Sequence, residues 1–228
     1  MSGILFIISA PSGSGKTTLT NELLKLVPGL EFSISYTTRP PRGSEQSGRE
    51  YFFVSKQDFE RMMQDEEFLE HACVFGHYYG TAKRFLAEAF AKGKDLLLDI
   101  DVQGAAQVKQ KMPEAVSIFI MPPSREVLEF RLGNRSHNDH VDDETVRRRL
   151  DGARKEIENY SKYDYILVNE NDRLPQSIQQ LSAVVSFERA KRSGSPVPIA
   201  PEVSDLAQRC LRENVRSRAE EILASFAV

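Results

Sequence analysis

Four short apolar runs punctuate the chain, at Ile4–Ile8, Leu96–Ile100, Val116–Met121 and Tyr165–Val168. Each carries few or no polar residues, the pattern of strands buried on both faces. Elsewhere apolar residues recur at intervals of three and four. That spacing predicts helices over about 15–26, 82–92, 103–111, 124–133, 143–160 and 173–191. Strands alternating with helices in this way predict an α/β fold, a parallel sheet with helices on both faces. Ligands of such folds sit beyond the carboxyl ends of the strands.

Residues 36–82 break the alternation. They are rich in Arg, Gly, Tyr and Phe, with strand-like pieces at Tyr51–Val54 and Leu69–Phe75. A helix is expected near 56–66, with Ser55 and Asp58 forming its cap. The stretch reads as an inserted mixed α+β lobe in a core made of 1–35 and 83–190. Residues 133–142 are polar and unpatterned, so a lid is expected over about 133–148. Ser, Gly and Pro mark 191–201 as a linker. One amphipathic helix is expected over 202–228, with Val203, Leu206, Cys210, Leu211, Val215, Ile222 and Phe226 in its stripe. Such a stripe either docks on its own domain or forms a contact in a homo-oligomer.

Composition narrows the partners. A chain of 228 residues with 40% hydrophobic content can bury one substantial core. Its net charge of −3 offers no basic field for bulk nucleic acid. Cys73 and Cys210 are the two cysteines, far apart and without metal-ligand spacing, so neither a disulfide framework nor a zinc site is expected. Free thiols suit a reducing cytoplasm. No apolar run approaches the roughly 18 residues of a membrane span. The first apolar stretch is too short for a secretory segment and has no basic residues before it. A cytoplasmic protein without membrane partners is expected.

The candidate chemistry begins at Ser9-Ala10-Pro11-Ser12-Gly13-Ser14-Gly15-Lys16-Thr17-Thr18, where the first strand turns into the first helix. Glycines here let backbone N–H groups converge on a polyphosphate. Lys16 adds a point charge for the β and γ oxygens, and the Thr17 hydroxyl can ligate Mg²⁺. The helix N-terminus favours the same anion. Ala10 stands where the general pattern has glycine.

Further clusters follow. Arg39 and Arg42 flank a Pro-Pro turn that presents both guanidinium groups with little entropy to lose, a grip suited to phosphate oxygens. Tyr51 and Tyr79 can add neutral donors there, or can pack in the core, for which Phe52 and Phe53 are better candidates. Glu70 sits among apolar neighbours; it is either a rim residue or a carboxylate accepting two parallel N–H bonds from a base edge. Guanine offers that pair at N1–H and its 2-amino group, and adenine does not. Asp99 and Asp101 end a buried strand, where a carboxylate can approach Mg²⁺ and phosphate, and strand alternation puts both on one face. Arg131, Arg135, Arg147, Arg148 and Arg149 flank the 133–142 segment, able to close on a γ-phosphoryl group or to pair with acids on their own helices.

These pieces together resemble guanylate kinase, a P-loop nucleoside monophosphate kinase, of the bacterial type. The matching segments are Ser9–Thr18, Ser35–Arg42, Gly48–Tyr51, Phe68–Glu70, Tyr78–Thr81, Leu98–Gly104 and Val168–Asn169, spread over about residues 3–190. The resemblance implies a P-loop NTPase core, a GMP-binding lobe at 36–82 and a lid, with ATP, GMP and Mg²⁺ as ligands. It implies that Ala10 through Thr18 hold ATP phosphates and that Asn169 approaches the adenine. It places Arg39, Arg42, Tyr51 and Tyr79 on the GMP phosphate, and Ser35, Glu70, Thr81 and Asp101 on guanine. Lys16, Arg39, Arg135 and Arg149 would act on the transferring group; Thr17, and Asp99 through water, would face the metal. The segment between Arg135 and Arg149 is longer than in the family, and Ser136 replaces a glycine. A non-catalytic module that binds protein ligands, or a kinase for another nucleoside monophosphate, are the rival readings. No resemblance covers residues beyond about 191.

Overall fold

The computed structural model of the protein describes residues 3–74, 76–139, 143–170, 173–193 and 199–227; the side chains of 134–143 lie outside the described residues. The first elements are β1 (Leu5–Ser9), α1 (Lys16–Leu26), β2 (Leu30–Phe32), β3 (Tyr36–Thr37), β4 (Phe52–Phe53) and α2 (Lys56–Gln64). Next come β5 (Phe68–Val74), β6 (His77–Ala82), α3 (Lys83–Ala91), β7 (Asp95–Asp99) and α4 (Val102–Lys111). The rest are β8 (Val116–Met121), α5 (Arg125–Asp139), α6 (Asp143–Ile157), β9 (Tyr165–Val168), α7 (Leu174–Ser193), α8 (Pro201–Arg209) and α9 (Arg212–Ser225).

Five strands form one sheet in the order β2-β7-β1-β8-β9, with β2 on β7 and β8 on β9 running parallel. The four apolar runs supply four of these strands. The fifth, β2, is three residues long and too short to announce itself in the pattern; it forms because Leu30 to Phe32 pair with Asp95 to Leu97. The chain divides into two compact units, Met1–Ile7 with Gly29–Ala115, and Ile8–Pro28 with Val116–Val228.

In the first unit a second sheet, ordered β4-β3-β6-β5, packs one face onto an aromatic core of Tyr36, Phe59, Met62, Phe68 and Ala82. Phe59 stacks on Phe68 at 4.5 Å and on Tyr78 at 5.4 Å. Alternation sorts β6: Tyr78 joins this cluster, and Gly80 makes room for it, since a Cβ there would stand 2.9 Å from Phe68 and 3.0 Å from Phe59. Tyr79 and Thr81 therefore point to the opposite face. Helix α2 starts as expected, with the Ser55 hydroxyl accepting from the Asp58 amide at 3.0 Å.

Three expectations need correction. The polar stretch from 133 is helical as far as Asp139, within α5, because the modest propensity cost of Gly and Asn is smaller than the gain from continuing intrahelical bonds. Residues 140–142 lie outside the described residues, as do 194–198 of the expected linker. Asp101 leaves the strand face it was expected to share with Asp99: β7 ends at Asp99, and Asp101 caps α4 by accepting from the Gly104 amide at 2.8 Å. The tail is two helices, not one. At the break, Ile166 N–H donates to the Cys210 carbonyl at 2.7 Å and Arg212 N–H to the Asp164 carbonyl at 3.1 Å. Edge strand β9 carries unpaired backbone groups, and satisfying them interrupts the tail helix. The tail's apolar face, including Ala207, Cys210, Ala219, Ile222 and Phe226, is buried against its own chain. Among the described residues no helix is long and apolar enough to cross a membrane.

Candidate active site

The turn between β1 and α1 has the backbone that phosphate binding needs. Gly13 and Gly15 adopt φ of 90° and 89°, which L side chains rarely reach. The Asn169 side chain, just after β9, donates from Nδ2 to the Ser14 carbonyl at 2.8 Å. Arg131 on α5 donates from Nη2 to the Asn169 carbonyl at 2.8 Å, and burial pulls its pKa below the ordinary arginine value. Ser14 Oγ and Asn169 Oδ1 are buried without a hydrogen-bond partner among the described residues. Buried polar atoms in that condition are costly, so the turn is suited to a polar ligand. Lys16 and Thr17 open α1, with the Thr17 side chain exposed.

Gly15→Ala tests this packing. A Cβ at Gly15 would stand 2.4 Å from Asn169 Nδ2, in a left-handed conformation. A loss of about 1–3 kcal/mol of stability is expected, together with weaker ATP use, read by thermal denaturation and an ATP titration.

The first unit carries a second cluster, on the face of its small sheet opposite the aromatic core. Glu70 on β5 pairs across from Thr81 on β6. It is only 3% exposed, and its Oε1 accepts from the Thr81 hydroxyl at 2.7 Å. The Ser35 and Thr81 hydroxyls stand 3.4 Å apart. Burial pushes the Glu70 pKa up to about 7, against the pull of the Thr81 bond and with the help of Asp101's negative charge. Helix α4 holds the strand around it. Gln107 accepts from the His71 amide at 3.2 Å and donates to the His71 carbonyl at 2.7 Å, and Lys111 donates to the Leu69 carbonyl at 2.6 Å. A Cβ at Gly104 would sit 2.4 Å from Glu70 Oε2, so only glycine lets the carboxylate approach α4 so closely.

Next to this carboxylate lies a cationic, aromatic patch. Arg39 is 6% exposed and lies 5.4 Å over the Tyr51 ring and 5.8 Å over Phe53. Tyr51 and Tyr79 meet edge to face at 5.8 Å. Phe53 thus faces the arginine, whereas Phe52 packs against the aromatic core as expected. Burial works against the Arg39 charge, yet hydrogen bonds with Glu45 and Tyr79 hold its pKa above the ordinary value. Burial, with the negative charge of Asp99, pushes Tyr51 up to about 12, so its hydroxyl remains a donor at neutral pH.

The structure therefore brings Ser35, Glu70, Thr81, Asp101, Arg39, Tyr51, Tyr79 and Asp99 into one unit, and Ala10 through Thr18 with Asn169 into the other. Arg42 is exposed, its amide donating to Glu45 Oε2 at 2.7 Å. Arg149 lies half-buried on α6; the Arg135 side chain is outside the described residues. Two contributors were missed. Glu45 takes both arms of the Arg39 fork, at 2.9 Å and 3.0 Å, and its only signal was an acid six residues on. Gly104 ended a segment that carried the resemblance, but nothing in the sequence signalled its close approach to Glu70.

The guanylate kinase family model matches residues 2–188. A guanylate kinase from Koribacter versatilis is 59% identical over 227 residues, 99% of this chain and 97% of that protein. One from Neisseria meningitidis is 49% identical over 84% of this chain and 91% of its own length. Among solved structures, the guanylate kinase of Anaplasma phagocytophilum superposes with a TM-score of 0.68 at 34% identity, covering 84% of this chain and 88% of that one. A buried carboxylate held by a threonine hydroxyl and a turn of two left-handed glycines are thus found in a chain that belongs to the guanylate kinase family.

Proposed function

We propose that the protein transfers the γ-phosphoryl group of ATP to GMP, giving ADP and GDP, with Mg²⁺ as cofactor. The observation that carries this reading is the buried Glu70 carboxylate, held by Thr81 beside the Arg39–Tyr51–Tyr79 patch. Glu70 accepts from guanine N1–H and the 2-amino group, with Ser35, Thr81 and Asp101 completing the base site. Arg39, Arg42, Tyr51 and Tyr79 hold the GMP phosphate, which takes over the guanidinium fork that Glu45 occupies. The backbone of 10–18 and Lys16 hold the ATP phosphates, and Asn169 keeps the turn in shape while approaching the adenine.

In the reaction an oxygen of the GMP phosphate attacks the γ-phosphorus, and the bond from γ-phosphorus to the β–γ bridging oxygen breaks, so that ADP leaves. The protein forms no covalent bond; it positions both nucleotides and stabilises charge, with Lys16, Arg39, Arg135 and Arg149 as the cations. The Thr17 hydroxyl, in the first turn of α1, is a hard oxygen that would suit Mg²⁺. Bound with ATP, Mg²⁺ supplies neutralisation of the phosphate charge.

ATP offered with GMP, AMP, UMP and dTMP in turn tests the assignment. Turnover on GMP alone is expected. A preference for another acceptor would favour a different kinase, and no turnover on any would favour a binding module.

A pH dependence follows from Glu70. Only the carboxylate accepts both guanine N–H groups, and in the GMP-free protein burial holds it near half-ionised at pH 7. Because the pKa is raised, ionisation completes above about 7 and is lost below it. KM for GMP should therefore fall about tenfold between about pH 6 and pH 8. The check is a KM profile beside that of Glu70→Gln, which keeps only the dependence due to the GMP phosphate. Identical profiles would remove Glu70 from base recognition.

A further inference from the structure

The family match ends at residue 188, but the chain continues into α8 and α9. Helix α9 sits on its own unit through Ala219, Ile222 and Phe226, all buried. Two of its polar side chains reach the segments that follow β8 and β9, at the carboxyl ends of two neighbouring parallel strands. Arg218 donates from Nη2 to the Pro123 carbonyl at 3.1 Å and lies 3.8 Å from the Glu170 carboxylate. The Ser225 hydroxyl accepts from the Arg125 amide at 3.0 Å and donates to the Ile222 carbonyl at 2.6 Å.

Both contacts act where the ATP turn is held. Arg125 is the first residue of α5, and its amide is one of the donors a helix start leaves without an intrahelical partner. Ser124 supplies the local cap, accepting from the Val127 amide at 3.4 Å; Ser225 caps the neighbouring amide from 100 residues away. One and two turns further along α5, Leu128 and Leu132 lie so close to Gly13 that a Cβ there would stand 3.0 Å from each. Arg131, on the same helix, binds the Asn169 carbonyl. Glu170, which faces Arg218 beside its closer partner Glu221 on α9, directly follows Asn169, whose side chain holds Ser14. A single helix thus ties down both supports of the glycine turn.

We propose that Arg218 and Ser225 are positioning residues for ATP, with α9 setting the start of α5 and the Asn169–Glu170 segment, and through them the shape of the phosphate turn. The proposal rests on the assignment of residues 10–18 and Asn169 to ATP. The Arg218–Glu170 pair is half-exposed and contributes little by itself. The bond to Pro123 and the Ser225 cap carry the effect, because a small misplacement of binding groups is felt strongly in transfer chemistry.

The test uses the full chain with Arg218→Ala, Ser225→Ala and Arg218→Lys, measuring KM for each nucleotide and kcat. KM for ATP should rise about threefold to tenfold in both alanine variants, the range that one hydrogen bond controls. KM for GMP should stay within about twofold, and Arg218→Lys, which keeps a donor for Pro123, should recover most of the loss. A role confined to stability would lower kcat through the active fraction and the melting temperature and leave KM for ATP untouched. That outcome, or an equal rise in both KM values, overturns the proposal. Should Arg218→Ala fold poorly, Ser225→Ala, which removes one oxygen, decides. Lys16→Met in the same assay separates the two claims: if it leaves ATP use normal, the ATP assignment itself is wrong. If it abolishes transfer while the α9 variants behave as wild type, only the positioning role is lost.

Discussion

Lys16→Met is expected to lower kcat by about 10³-fold, the scale on which removing one preorganised electrostatic group acts, while GMP binding survives. Methionine keeps most of the length of the side chain and its tolerance of the helix, so the change acts chiefly through the lost ammonium group. Lys16 opens α1 directly after the left-handed Gly15, at the end of the turn proposed to hold the phosphates. The residues assigned to GMP, Glu70 and Arg39 among them, belong to the other unit of the chain. A coupled assay for ADP release gives kcat, and calorimetric titration with GMP gives the surviving affinity. Turnover close to wild type would end the assignment of the turn.

Glu70→Ala is expected to cost about 10⁴-fold in kcat/KM for GMP, because a site built around a hydrogen-bonding pair rejects a partner left unmatched. The fold should survive, since the change removes a buried acid and leaves no new unpaired charge. Glu70→Gln separates charge from shape. Its carbonyl accepts one guanine N–H, but its NH₂ confronts the other donor, so the loss remains large. The same NH₂ can donate to adenine N1, so the ratio of GMP to AMP turnover should fall further than GMP turnover alone implies. Steady-state kinetics with both nucleotides, beside a melting curve, checks the pair. An unchanged preference for GMP would assign the discrimination elsewhere.

Much of this site was legible because its signals are local. Val116–Met121 and Tyr165–Val168 match β8 and β9 in the structure residue for residue, since a strand buried on both faces needs an unbroken apolar run and polar residues bound it sharply. Gly13 and Gly15 announced a turn that demands positive φ, and Ser55 with Asp58 announced the start of α2. Glu70 was readable as an acid among apolar neighbours, although its two readings stayed level until the structure showed it buried against Thr81. Asp101 was placed on a strand face it does not share, because its capping bond to Gly104 belongs to the next helix.

Sequence alone determined the alternation of strands and helices, the glycine turn with Lys16 and Thr17, and the residue types that suit phosphate and guanine. Those depend on side-chain chemistry and on contacts within a few residues. Tertiary structure decided what long-range partners control. Asn169 reaches the Ser14 carbonyl across 155 positions, and Ser225 caps α5 across 100. The tail divides at Cys210 and Leu211 because the edge of β9 offers its backbone a better set of hydrogen bonds than a continued helix. No periodicity encodes such pairings; they exist only once the folded backbone brings an unsatisfied donor and an acceptor to the same place.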